Sequence, residues 1–202
     1  MSIEREIPRG REAQRLQTRE RLLDAAVAEY RERGMADADL GAIATTAGVA
    51  RGTFYFHFPT KEHVLLELEE REEARIAREL NRFLAKPRDL RTSLTKTVRL
   101  ILAMEGRLGR SLFKDVLAVH FSPTRPLTDE WRGHRVIVLV VGMIERARDE
   151  GEAEVVVDPY HSAVFFLLGL YAMLAVTSDA KPLRDLAIEN YLTTAIRGLE
   201  PR

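Results

Sequence analysis

The sequence predicts an all-α protein, with an N-terminal three-helix helix-turn-helix domain joined by a bridging helix to a larger C-terminal helical domain. Three observations carry that prediction. Apolar residues recur at helical spacing along almost the whole chain of 202 residues. The one β-branched run, Val155 to Val157, is too short to build a sheet and reads as extended linker. Between Asp39 and Lys61 the stretch DLGAIATTAGVARGTFYFHFPTK has the spacing of two short helices across a tight turn. Ala44 allows the helices to approach, Gly48 takes the strained turn, and Phe54 pins the second helix.

Taken in order, residues 1–15 read as a flexible arm. Arg5, Arg9, Arg11 and Arg15 are offset by Glu4, Glu6 and Glu12, so the arm is expected to be solvated, with minor-groove contact as the alternative. The helix-turn-helix domain is placed at 16–62. Leu22, Leu23, Ala26, Val27 and Tyr30 give its first helix an apolar face, which Gly34 ends. Asp39 caps the helix Leu40 to Thr46, whereas Ala50 gives the next helix no side-chain cap.

The second domain is placed at 63–202, entered through a long bridging helix from Lys61 to Leu84 whose ELEEREEARIARE run reads as an exposed, salt-bridged face. Helices follow at Asp89–Met104, Leu108–Phe121, Thr128 or Asp129 to Glu150, Pro159–Ser178 and Pro182–Leu199. Asp158 and Pro159 form an N-cap and N1 pair. The helix that they open is apolar nearly all round, so protein must cover it on several faces.

Function is read from the second short helix. Val49, Phe54 and Phe58 are expected to face the core, leaving Arg51, Thr53, Tyr55, Phe56 and His57 outward. An outward set of aromatic, hydroxyl and cationic side chains suits a helix that enters a DNA groove. The expected DNA-binding residues are Arg51, Gly52, Thr53, Tyr55, Phe56, His57 and Lys61. Arg51 reads a guanine edge, Thr53 and Phe56 meet a thymine methyl, and Tyr55, His57 and Lys61 anchor phosphates. Packing between helices is the competing reading for Tyr55 and His57, and a solvated charge for Arg51.

The segment AGVARGTFYFHFPTKEHVL resembles the recognition-helix signature of the TetR family of bacterial transcriptional regulators, and the resemblance runs from about Thr18 to Leu66. It implies a ligand-responsive regulator that binds a palindromic double-stranded DNA operator as a homodimer, most simply a repressor, with an activator as the alternative. In that family threonine usually caps the helix that starts here at Leu40, often with arginine two residues on. Here those places hold Asp39 and Gly41, which removes one expected phosphate contact.

Composition narrows the rest. With 31 Lys+Arg against 31 Asp+Glu the formal net charge is zero, so DNA affinity must come from local charge. The chain has no cysteine, which excludes disulfides and thiolate sites. No two of the five histidines lie three or four residues apart, so neither a metal nor a cofactor is expected. No phosphate loop, G-x-S-x-G or H-E-x-x-H motif points to an enzyme. An interaction adaptor has little use for the outward set around Arg51. The longest apolar run, Ala163 to Val176, is shorter than the ~18–20 residues of a membrane span, so a cytoplasmic protein without a membrane partner is expected. Met104, Phe113, His120, Phe121, Trp131, Phe165 and Tyr171 are expected to line a pocket for a small apolar or aromatic effector. Phe166, Gly169, Leu170, Met173, Tyr191 and Leu192 are the expected dimer interface.

Overall fold

A computed structural model of the chain describes residues 10–122, 134–177 and 180–199. Among these residues all regular structure is helical. The helices are α1 (Arg11–Asp37), α2 (Leu40–Thr46), α3 (Arg51–His57), α4 (Lys61–Leu84), α5 (Leu90–Leu108), α6 (Arg110–His120), α7 (Arg135–Asp149), α8 (Pro159–Val176) and α9 (Lys181–Arg197). They divide into two compact units: Met1–Leu68 with Leu108–Val119, and Glu69–Arg107 with His120–Arg202. The division falls inside α4, and α6 contributes to the first unit up to Val119. The expected arm is helical from Arg11 onward; its residues 1–9 lie outside the described ones.

In the first unit, α1 buries Leu22, Leu23, Ala25, Ala26 and Tyr30, and Gly34 interrupts it at φ 79°. Asp39 caps α2 by accepting from the Gly41 amide at 2.7 Å. A Cβ on Gly41 would lie 3.1 Å from the Asp39 carboxylate, so the glycine gives that carboxylate room. Gly48, at φ 68°, makes the turn into α3 while the Val49 amide donates to the Ala44 carbonyl at 3.0 Å. The core is completed by Ile43, Ala44, Phe54, Phe58, Val64 and Leu65, with Leu112 and Phe113 from α6.

In the second unit α7 buries one face, Val136, Ile137, Val140, Met143, Ile144 and Ala147, and packs chiefly on α8. Asp89 caps α5 through the Thr92 amide. The acidic run of α4 differs from its expected exposed face: Glu69 and Glu72 are buried, and Glu72 pairs with Arg107. Charged side chains sit inside here because opposite charges meet them there. Helix α8 is 18 residues long with mean hydropathy 1.5, so by length and composition it could cross a membrane. Counting only the unbroken apolar run missed Pro159 to Ser162, which the helix includes.

Candidate functional site

The first unit holds one candidate surface on α3. Phe54 and Phe58 are fully buried, and their rings lie 5.8 Å apart. They seat the helix, and the opposite side emerges. Phe56 is 75% exposed and Tyr55 50%, both large side chains that burial would favour. Arg51 and Gly52 are exposed with them, and Thr53 is half-buried.

Two of the expected DNA-binding residues are turned away from this surface, His57 and Lys61. The His57 ring is buried, 6% exposed, because a seven-residue helix turns its last residue back toward α1. Burial lowers its pKa below the ordinary 6.5, and the charges of Arg19 and Arg15 add to that against the opposing Glu67. Lys61 Nζ donates to the carbonyls of Met35, at 3.0 Å, and Ala36, at 2.8 Å, so it closes the end of α1.

Arg19, which the sequence pattern did not single out, is the anchor of α3. Its Nη1 donates to the His57 carbonyl, its Nη2 lies 2.6 Å from Glu67, and its guanidinium stacks 4.3 Å above the Phe58 ring. One side chain thus ties the C-terminal end of α3 to α1 and α4.

In the second unit a small cavity of about 10 Å³ is lined by His120, His134, Val136, Ile137, Val164, Leu167, Leu168 and Tyr171. Of the expected effector residues, His120 and Tyr171 line it. Phe121 packs its ring 4.7 Å from His120 and 6.4 Å from Tyr171. Met104 is buried elsewhere in this unit, Phe113 is core of the first unit, and Phe165 is 61% exposed. Trp131 lies outside the described residues.

Polar groups converge at one end of the cavity. His120 Nδ1 meets the Glu69 carboxylate, and His134 Nε2 lies 3.8 Å from the same oxygen. His134 Nδ1 lies 2.8 Å from Glu73, whose carboxylate also accepts from the Arg135 and Val136 amides at the start of α7. Burial disfavours the His134 imidazolium, yet Glu69 and Glu73 outweigh it and push its pKa up to about 9.

Of the expected dimer residues, Phe166 and Leu170 are buried in the subunit's own core. Gly169 faces Tyr191, whose hydroxyl donates to the Phe166 carbonyl. Met173 and Leu192 are half-buried. Large apolar side chains stand exposed at Phe165, Leu168 and Val176 on α8 and at Leu183 and Leu186 on α9.

The profile of the family described as "Bacterial regulatory proteins, tetR family" matches residues 22–68. The HTH-type transcriptional regulator AcrR of Shigella flexneri is 38% identical over 60 residues, which are 30% of this chain and 28% of that one. The match therefore spans little more than a quarter of that relative's length. Among solved structures, FadR of Thermus thermophilus, a TetR-family transcriptional repressor in complex with lauroyl-CoA, aligns with TM-score 0.69 and 24% identity over 89% of this chain and 91% of its own. SmeT in complex with triclosan aligns with TM-score 0.61 and 25% identity, over 91% and 92% of the two chains. SmeT is the repressor of the Stenotrophomonas maltophilia multidrug efflux pump SmeDEF. Residues 22–68, which hold the helix-turn-helix, thus match the DNA-binding segment of the TetR family, and the helical fold beyond them is shared with these solved structures over about nine-tenths of the chain.

Proposed function

We propose that the chain is a cytoplasmic transcriptional repressor that binds a palindromic operator as a homodimer and leaves it when a small, largely apolar effector occupies the second unit. The observation that carries this reading is the exposed face of α3, where Arg51, Tyr55 and Phe56 emerge around a buried Phe54. Arg51 reads a base edge, Phe56 and Thr53 meet thymine methyls, and Tyr55 holds a phosphate. His57 and Lys61 act from behind the surface, one packed under α3 and the other clamped on the end of α1.

A two-fold dimer would set the two α3 helices one helical turn apart, ~34–36 Å. The second copy fits against Phe165, Leu168, Val176, Leu183 and Leu186, because only 28% of the α8 window is buried within the subunit. The apolar cavity lining supports an apolar effector, as do the triclosan and lauroyl-CoA held by SmeT and FadR. A cavity of about 10 Å³ has room for about one water, so the effector must part the helices around it. A coupling of ~1–3 kcal/mol between the two sites suffices to release DNA.

The test is selection of bound duplexes from a random pool, repeated with triclosan and with lauroyl-CoA. A palindromic consensus is expected, and Arg51→Ala should lose ~1–3 kcal/mol at one position of each half-site. Failure to enrich any sequence would refute the reading.

A further inference from the structure

We propose that Glu69, His120 and His134 form a binding site for a divalent first-row metal ion, Zn²⁺ foremost, with one coordination position open to the adjoining cavity. This goes beyond the repressor reading and stands without it, since metal binding is measured with no DNA present.

The donor set comes first. One ligand atom from each of the three residues lies within 4.8 Å of the other two. Two imidazoles and a carboxylate, with no thiolate in the chain, suit a borderline ion such as Zn²⁺ rather than Ca²⁺ or Mg²⁺. Bonds of ~2.0–2.1 Å around a tetrahedron put ligand atoms about 3.4 Å apart. The 3.8 Å between His134 Nε2 and Glu69 Oε1 is already close to that edge. His120 Nδ1 meets the same carboxylate, so small side-chain rotations gather all three donors on one point.

The surrounding shell supports the same conclusion. Glu73 lies 2.8 Å from His134 Nδ1, which leaves Nε2 directed at Glu69. A carboxylate behind a ligating histidine fixes its tautomer and ring plane. Glu73 is itself held by the Arg135 and Val136 amides, so its position is set by the start of α7. Charge also balances: two carboxylates, Glu69 and Glu73, face the site and match the charge of one divalent cation, with Glu69 buried. The cavity that His120, His134 and Tyr171 line has about the volume of a single water, the ordinary fourth ligand of a three-residue zinc site.

The experiment is titration of tag-free, chelator-stripped protein with Zn²⁺ and with Co²⁺. One ion per chain is expected, Co²⁺ giving the intense visible bands of a four- or five-coordinate centre. His120→Asn and Glu69→Gln should each weaken binding by more than about 100-fold, and Glu73→Gln by about 10–100-fold. His161→Ala, at an exposed histidine, should change nothing. Binding no tighter than to buffer, or unchanged in the Glu69 and His120 variants, would overturn the proposal. Should those variants misfold, X-ray absorption on the wild-type zinc complex decides. Two imidazoles with oxygen ligands support the site, and a single imidazole refutes it.

Discussion

Replacing Arg19 by alanine should loosen the recognition helix more than its partly exposed position suggests. Three contacts vanish together: the guanidinium bond to the His57 carbonyl, the 2.6 Å pair with Glu67 and the stack on Phe58. A charged hydrogen bond contributes ~1.5–3 kcal/mol and a partly exposed cation–π contact ~0.5–1. The pair with Glu67 is partly screened by solvent and adds at most ~1 kcal/mol. Water recovers part of this at the freed carbonyl, so the net loss should be about 2 kcal/mol. The loss should be local. The Phe58 amide, which donates to the Phe54 carbonyl at 2.8 Å, reports it. In native-state hydrogen exchange about 2 kcal/mol speeds its exchange about 30-fold. Arg19→Lys keeps the charge but not the fork, and should recover only part of the protection. An acceleration below about twofold would refute the anchoring role, as would equal acceleration throughout α1.

Three further outcomes are expected. His57 titrates near 6.5 when unfolded and lower when folded, so its contribution to stability is complete above about 6.5 and drains away as pH falls. Thermal melts should therefore show a steeper acid limb for the wild type than for His57→Gln. Gly169→Ala places a Cβ 2.8 Å from the Tyr191 ring and hydroxyl, and should destabilise by ~1–3 kcal/mol in denaturation, with Tyr191→Leu relieving the clash. Phe165→Glu should leave helicity unchanged, since the side chain is exposed, yet convert the proposed dimer to monomer in light scattering.

What the sequence made legible is local. Gly34, Gly48, Asp39 and the Asp158–Pro159 pair act through their immediate neighbours, so helix ends could be placed before any tertiary structure. Phe54 was legible for the same reason, lying at a fixed step from Gly48. Side-chain direction was harder wherever periodicity is weak. Helix α8 is apolar on every side, so nothing in its pattern told Phe166 and Leu170, which face inward, from Phe165 and Leu168, which face out. Helix α3 has only seven residues, too few to show that His57 returns to the core. The Glu69, His120 and His134 cluster joins residues tens of positions apart, and only folding makes them neighbours. Arg19 looked like one more charge on α1 until Phe58 and the end of α3 came to it.

The exposed apolar side chains on α8 and α9 also have a bearing on copy number. If two chains meet there, association adds to the stability of each folded chain, and dilution takes that increment away. Each tenfold drop in concentration then costs the pair about 1.4 kcal/mol. A regulator made in few copies would sit near that limit, with its unpaired chains exposing Phe165, Val176 and Leu183 to proteases and chaperones. Gene dosage would then set the fraction of protein that exists as a folded pair, as well as its amount.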